Sequence, residues 1–287
     1  MRLGGERESE NVEDRRGFSP GIGIAGGGIG TVAIIVLGLL FGVDPSSLLQ
    51  ILDGGGPVEQ QQPVPAGSRA PSPADDTKRF VSVILAETED TWSDVFRRLG
   101  RSYRDPKLVL FSGATQSACG FARSAVGPFY CPGDERVYLD LAFFRELQTR
   151  FGAPGDFAQA YVIAHEVGHH VQHLLGIMDQ ADAQRSRSTA AGANGLSVRI
   201  ELQADCFAGV WANQTNAARH ILEAGDVEQG LKAASAVGDD RLQMQAQGYV
   251  VPESFTHGSS AQRVRWFKRG LDSGDIKRCD TFAATQL

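Results

Sequence analysis

Apolar and polar residues divide the chain into stretches of very different character. Residues 1–20 are mostly polar and charged, which predicts a disordered tail. The run 22–43 has no charged residue, and at ~1.5 Å rise per residue it is long enough to cross a bilayer, so we predict a transmembrane helix over 21–43. Residues 44–77 are rich in Pro, Gln, Gly and Ser, which is typical of a flexible linker. A folded domain is therefore expected over 78–287.

Charges on the two sides of the apolar run set the expected orientation of the span. Arg15 and Arg16 precede the run, whereas Asp44 and Asp53 follow it. Positive charge favours the cytoplasmic side, so we expect a single-pass protein of the cell membrane, with its N-terminus in the cytoplasm and its domain outside. A cleaved signal peptide is the alternative, but its apolar core would be shorter and followed by small residues. Glycines four residues apart within the run leave oligomerisation through the membrane helix open.

Within the domain, apolar residues recur mainly at helical spacing. The short apolar runs 108–111 and 137–139 predict strands, and the polar stretch 177–196 is expected to be irregular. The predicted fold class is therefore α+β, mostly helical with a small sheet. Helices are predicted over 80–99, 139–151, 157–175, 197–218, 226–237, 239–247 and 259–270.

Length and charge limit the classes of function. The chain has 287 residues, and the part that follows the linker is long enough for one domain with a substantial core. The formal net charge is -6, and no basic stripe interrupts the sequence. Because nucleic-acid binding depends on clustered positive charge, we expect no nucleic-acid partner.

The helix predicted over 157–175 contains an H-E-x-x-H motif made of His165, Glu166 and His169. Residues four apart lie on one face of a helix, so both imidazoles can bind one ion. Glu166 lies beside that face and can reach a water on the metal without binding the metal itself. Zinc is the expected cofactor, because it suits imidazole and carboxylate ligands. The alternative is a set of hydrogen-bonded core histidines.

A catalytic zinc needs a third protein ligand. His173 lies on the same helix face but about 12 Å along the axis from His165, too far for both rings to bind one ion. Glu201 and Asp205 are better candidates, because they also lie four residues apart on a predicted helix. Glu201 would complete the metal site, and Asp205 would accept the free ring N–H of a ligand histidine. The alternative for these carboxylates is a solvated helix face.

Several segments resemble the bacterial neutral zinc metallopeptidase family (YpfJ-like proteins), and H-E-x-x-H followed on a later helix by E-x-x-x-D resembles the gluzincin arrangement. The similarity extends over 78–282 and implies a zincin-like fold, a bound zinc ion and a peptide or protein substrate. In such folds an edge strand commonly pairs with the substrate, which predicts this role for the strand at 108–111. The segments are A-C-G at 118–120, G-P-F-Y-C-P at 127–132, V-Y-L-D at 137–140, A-H-E-V-G-H-H-V-Q at 164–172, R-x-E-L-Q-A-D-C-x-A-G-x-W at 199–211 and T-H-G-x-x-x-x-R-x-x-W-F at 256–267.

The last of these segments resembles a T-H-P-x-x-x-x-R segment of HtpX-like peptidases, in which the histidine faces the active site. The resemblance implies that His257 stabilises the oxyanion formed during hydrolysis. Gly258 stands where those peptidases have proline, and the alternative is a helix-capping or surface histidine. Arg263 is expected to orient the segment or to bind a substrate carboxylate.

Four cysteines allow three disulfide pairings, or they are four buried thiols. Cys119 and Cys131 flank a loop rich in Gly and Pro, where a bridge would contribute ~3 kcal/mol by restricting the unfolded chain. Cys206 and Cys279 would then form the second bridge.

The expected activity is that of a membrane-anchored zinc endopeptidase. Zinc held by His165, His169 and Glu201 would activate a water, and Glu166 would act as the general base. Two alternatives remain open. One is a membrane-tethered, non-catalytic zinc-binding or chaperone-like module, and the other is a zinc hydrolase of a cell-wall amide.

Overall fold

The computed structural model describes residues 1–17 and 73–287. The predicted transmembrane helix and most of the predicted linker lie outside these residues. Within the two described stretches, no helix is both long enough and apolar enough to cross a membrane.

The described part of the chain is mostly helical, which confirms the α+β fold class. Helix α1 begins at a proline, which suits the first turn of a helix, and it carries acidic residues in its first turn and basic residues in its last. It starts five positions before the expected domain boundary. The helices are α1 (Pro73–Arg98), α2 (Ala142–Thr149), α3 (Asp156–Leu174), α4 (Ile177–Arg185), α5 (Ala190–Arg219), α6 (Asp226–Ala236), α7 (Asp239–Gln247) and α8 (Ser260–Ser273), with short 3-10 turns at Ser124–Val126, Pro252–Ser254 and Ile276–Cys279.

Four strands form one sheet, and two more form a separate hairpin. The strands are β1 (Val12–Asp14), β2 (Lys107–Phe111), β3 (Ala114–Ser117), β4 (Gly120–Arg123), β5 (Phe129–Cys131) and β6 (Arg136–Asp140). The sheet order is β1-β2-β6-β5, with β3 and β4 paired apart from it. Strands β1, β2 and β6 are parallel, and β5 runs antiparallel to β6.

The sheet order corrects the prediction that residues 108–111 form an edge strand. Strand β2 lies between β1 and β6, so both of its hydrogen-bonding edges are occupied. Residues 108–111 are all buried, which is typical of an interior parallel strand covered on both faces. A peptide substrate therefore cannot add to β2. Strand β5 stands at the end of the sheet order instead.

The N-terminal segment 1–17 is folded onto the domain, so the predicted disordered tail is wrong for these residues. Strand β1 pairs with β2, and Ser9 donates a hydrogen bond of 2.5 Å to Glu89 on α1. The Asn11 amide donates to the same carboxylate at 2.9 Å, and Arg7 does so at 2.8 Å. The polar side chains whose abundance predicted disorder instead form hydrogen bonds with acidic residues far along the chain.

This docking is incompatible with the predicted orientation of the span. Strand β1 belongs to the same sheet as β2 and β6, and Lys78 lies 3.3 Å from Asp14. Arg79 and Glu8 form a second ion pair at 3.1 Å. The described residues on the two sides of 18–72 therefore lie on the same side of any membrane, so the N-terminus is not in the cytoplasm while the domain is outside.

Glu87 on α1 lies among the contacts that hold the N-terminal segment in place. Its side chain is buried, and Arg219 donates hydrogen bonds of 2.8 Å to both Glu87 and Glu6. Burial raises the pKa of Glu87 to about 7 from its usual 4.5, although Arg219 opposes the shift. Between these two pH values the folded protein holds a proton that the unfolded chain has lost.

We expect Glu87→Gln to remove part of the pH dependence of stability. The pKa of Glu87 is higher in the folded protein than in the unfolded chain, so burying this carboxyl costs no stability below the unfolded-state pKa. The wild-type free energy of unfolding therefore falls as the pH rises through about 7. A neutral amide does not lose this stability. From about pH 5 to about pH 8, the variant should gain about 2 kcal/mol relative to wild type in urea unfolding. In the control variant Glu228→Gln, at an exposed position, the free energy of unfolding should differ from wild type by the same amount at every pH. A difference for Glu87→Gln that is likewise independent of pH would contradict the prediction.

Two glycines allow close contact between the helices that carry or flank the predicted metal ligands. A Cβ at Gly270 on α8 would lie 1.9 Å from the carbonyl oxygen of Cys206 on α5. A Cβ at Gly168 on α3 would lie 3.1 Å from the carbonyl oxygen of Ala204 on α5. Helices α3 and α8 therefore both pack directly against the stretch of α5 that carries the E-x-x-x-D pair.

Candidate metal centre

Helices α3 and α5 bring the three predicted metal ligands together. The nearest donor atoms of His165, His169 and Glu201 all lie within 4.8 Å of one another. The Nε2 atoms of His165 and His169 lie 3.2 Å and 3.5 Å from the carboxylate oxygens of Glu201. Two imidazoles and one carboxylate, with the open fourth position that such a set leaves, are the donors of catalytic zinc sites, so the residues present fit a zinc ion.

Asp205 supports the first histidine, as its position on α5 predicted. Its Oδ1 accepts a hydrogen bond of 2.9 Å from Nδ1 of His165, which leaves Nε2 directed at Glu201. Asp205 has no exposed surface, and Arg263 donates to both of its oxygens at 2.8 Å and 2.9 Å. The Tyr161 hydroxyl donates a fourth hydrogen bond of 2.5 Å to Asp205. Arg263 is thus the partner of Asp205, and the expectation that it binds a substrate carboxylate stays a prediction.

The electrostatic environment of the three predicted ligands favours a bound cation. Burial alone would raise the pKa of Glu201, but His169 and His165 outweigh it and hold that pKa far below its usual range. Burial would lower the pKa of His165, but Asp205 and Glu201 raise it to about 10. The cluster therefore favours positive charge at the point where the ligand atoms converge.

Glu166 and the ligands lie on one cavity of about 760 Å³. Glu166 is 8% exposed and follows His165 directly on α3. Strand β5 forms part of the wall through Phe129 and Tyr130. The remaining wall combines the polar side chains of Glu146, Arg150 and Gln245 with apolar ones, namely Phe143, Phe151, Met178, Ile200 and Leu242.

His257 lies on the wall of the same cavity, on the segment between Ser254 and α8. The backbone N–H groups of Thr256, His257 and Gly258 donate to one oxygen of Asp239 at 2.7, 2.6 and 3.0 Å. The other Asp239 oxygen lies 3.2 Å from His257 Nδ1, and this hydrogen bond raises the pKa of His257. Gly258 adopts a φ of 89°, a left-handed conformation that suits glycine and is closed to proline.

The two other histidines of α3 do not join the metal ligands. His170 is fully buried, with Nε2 2.6 Å from the carbonyl oxygen of Arg104 and Nδ1 3.0 Å from the Tyr130 hydroxyl. Burial lowers the pKa of His170 to about 4, so the ring is neutral and holds the packing of α3 against β5. His173 lies 3.6 Å from Glu135.

Both predicted disulfides are present, linking Cys119 to Cys131 and Cys206 to Cys279. The first bridge ties the β3–β4 hairpin to β5. The second ties α5 to the turn Ile276–Cys279, five residues after the proposed ligand Glu201 on the same helix.

Four side chains around the ligands and His257 were missed by the sequence reasoning. Helical spacing could have indicated two of them, because Tyr161 precedes His165 by four residues and Gln172 follows His169 by three. Gln203 lies within the E-L-Q-A-D motif but has no distinctive spacing to either histidine. Asp239 is far from His257 in sequence, so no local pattern connects them.

The fold and the donor set define the class of this protein: an α+β domain with a buried two-histidine, one-carboxylate site for a divalent metal. The chain belongs to the family described as "Putative neutral zinc metallopeptidase", whose model matches residues 1–282. This confirms the resemblance found in the sequence and supports a zinc peptidase in general. It also extends the match to the N-terminal segment.

Two relatives illustrate how far the similarity extends. The chain is 51% identical to protein YpfJ of Escherichia coli K12 over 292 residues, covering 98% of this chain and 99% of YpfJ. It is 43% identical to protein Rv2575 of Mycobacterium tuberculosis H37Rv over 262 residues, covering 87% of this chain and 86% of the relative. No solved structure is significantly similar to the chain.

Proposed function

We propose that this chain is a zinc-dependent endopeptidase of the gluzincin type. The observation that carries the proposal is the convergence of the donor atoms of His165, His169 and Glu201 within 4.8 Å, on the cavity that Glu166 also lines. When bound, zinc supplies a Lewis acid that polarises the scissile carbonyl and lowers the pKa of a water to about 7. The family description supports the metal and the general class of activity.

Glu166 is the proposed general base. It is not one of the converging metal ligands, yet it follows His165 directly and is nearly buried. A carboxylate in this place takes the proton from the attacking water and passes it to the leaving amine. A site that only binds zinc has no use for such a base, which favours catalysis over a non-catalytic zinc module.

His257 is the proposed hydrogen-bond donor to the oxyanion. Its Nδ1 faces Asp239, so Nε2 is the ring atom available to the cavity. The three backbone bonds to Asp239 fix the segment that carries the ring. Because Asp239 favours the protonated imidazole, the ring carries a proton that it can donate toward developing negative charge.

Strand β5 is the proposed docking edge for an extended substrate. Among the described strands it pairs with β6 alone, and Phe129 and Tyr130 lie on the cavity wall. A peptide that adds to this edge gains main-chain hydrogen bonds beside the metal ligands. The apolar wall formed with Phe143, Phe151 and Leu242 favours large apolar side chains near the scissile bond.

Digestion of a peptide library with and without a chelator tests this function. We expect cleavage by the zinc-loaded protein, loss of cleavage after chelation and its return when zinc is added. Products read by mass spectrometry should show apolar residues next to the cleaved bonds. Zinc binding without turnover of any peptide would refute the endopeptidase. Turnover of peptidoglycan cross-links alone would assign the site to a cell-wall amide.

A further inference from the structure

The second metal ligand, His169, is supported differently from the first. His165 donates from Nδ1 to the carboxylate of Asp205, whereas His169 Nδ1 lies 2.9 Å from the amide oxygen Oε1 of Gln172. Gln172 is one helical turn further along α3 and has no exposed surface. An amide can turn either an oxygen or an NH₂ group toward the ring, so its orientation decides which imidazole nitrogen is protonated.

A backbone carbonyl fixes the orientation of Gln172. Its Nε2 donates to the carbonyl oxygen of Ile200 at 2.8 Å, and a carbonyl can only accept. The NH₂ group therefore faces α5, and Oε1 faces His169. His169 must then carry a proton on Nδ1, which leaves Nε2 as the ring nitrogen that faces Glu201, 3.5 Å away.

A second glutamine continues the same chain of hydrogen bonds. Gln172 Nε2 also donates to Oε1 of Gln203 at 3.0 Å, and Gln203 Nε2 donates to the carbonyl oxygen of Cys279 at 3.0 Å. The Cys279 carbonyl again only accepts, so it sets the orientation of Gln203. Gln203 and Cys279 are both buried, and the disulfide to Cys206 holds Cys279 against α5.

We propose that Gln172 and Gln203 are positioning residues for the metal site, forming an amide relay from Cys279 to His169. The relay fixes the tautomer and direction of the His169 ring, as Asp205 does for His165. The Cys206–Cys279 disulfide anchors its far end. The inference deepens the proposed function, because it rests on the same His165, His169 and Glu201 site, but it concerns metal binding and not hydrolysis.

Zinc affinity of apolar isosteres tests the relay. Gln172→Met and Gln203→Met fill similar space without hydrogen-bonding amides, and Gln184→Met on the exposed surface of α4 is the matched control. With zinc alone as the probe and a competing chelator as the reporter, we expect ~10–100-fold weaker binding for Gln172→Met. A smaller loss in the same direction is expected for Gln203→Met, and none for the control.

Two further readouts separate positioning from general destabilisation. Thermal unfolding of the metal-free variants measures the structural effect, and ¹⁵N shifts of the His169 ring report its tautomer. The relay predicts loss of the Nδ1–H tautomer as the dominant form in Gln172→Met. Lower thermal stability with wild-type zinc affinity and an unchanged tautomer in both glutamine variants would overturn it. Should Gln172→Met not fold, Gln203→Met decides by the same measurements.

The double variant Cys206→Ala/Cys279→Ala tests the anchor. The protein that lacks this bridge should bind zinc more weakly than wild type, whereas removing the Cys119–Cys131 bridge, which contacts neither glutamine, should not change zinc affinity. Equal zinc affinity in the two double variants would refute the anchoring role. Wild-type protein that binds zinc but hydrolyses no peptide would refute the peptidase and leave the relay standing.

Discussion

Glu166→Gln should retain zinc and lower the kcat for peptide hydrolysis by about 10²–10⁴-fold, the range that a positioned general base contributes. Glutamine has nearly the same shape as glutamate but cannot take a proton from water. The donor atoms of the metal site belong to His165, His169 and Glu201, so the substitution leaves them in place. Elemental analysis and steady-state kinetics on the same preparation measure both halves of the prediction.

Glu228→Gln provides the control for this experiment. Glu228 is exposed on α6 and is not among the residues that line the cavity, so its substitution should leave kcat unchanged. Wild-type turnover in Glu166→Gln would remove Glu166 from the mechanism. Loss of zinc together with activity would instead make it a ligand, contrary to the geometry.

Glu201→Gln should weaken zinc binding by more than about 100-fold, because residues that only support a ligand already contribute about 10–100-fold. The carboxylate supplies the single negative charge in the donor set, and a neutral amide is a poor zinc ligand. Peptide hydrolysis should fall in parallel and recover only partly when zinc is in excess. Chelator competition on the folded variant measures the affinity directly.

The metal-free Glu201→Gln protein should remain folded, because its amide can still bond to the rings of His165 and His169. Its circular dichroism spectrum should match that of wild type. Zinc affinity equal to that of wild type would show that some other residue supplies the third ligand, and the proposed site would then be wrong.

The ligands could be predicted from the sequence because their geometry is local. His165 and His169 are one helical turn apart, as are Glu201 and Asp205, so each pair shares a helix face wherever the helix lies. What the sequence could not specify was the packing that brings the two helices together. Gly168 favours that contact, because a Cβ there would lie only 3.1 Å from the carbonyl oxygen of Ala204 on α5.

The sheet was predicted less well, because strand neighbours are not encoded locally. The apolar run 108–111 indicates a buried strand but not which strands lie beside it, so β2 was mistaken for an edge. Strand β1 has only three residues, too few for a hydrophobic period, and its docking depends on partners such as Glu89 far along the chain. A segment of polar residues was therefore predicted as disordered.

Helix boundaries failed where polar and small residues conceal the periodicity. The stretch 177–196 was expected to be irregular, but it contains α4 and the first turns of α5. The side chain of Thr189 caps α5 by accepting a hydrogen bond from the N–H of Gly192. The amide relay could not be predicted for a different reason. The sequence does not show whether a glutamine is buried or solvated, and its role depends on hydrogen-bond partners that only the structure shows.

Anomalous diffraction from zinc-loaded crystals, recorded on both sides of the zinc absorption edge, tests the central claim most directly. We expect one strong anomalous peak between α3 and α5, at about 2.0–2.2 Å from Nε2 of His165, Nε2 of His169 and a carboxylate oxygen of Glu201. A zinc peak elsewhere, or one at the two histidines that leaves Glu201 out of contact, would contradict the account.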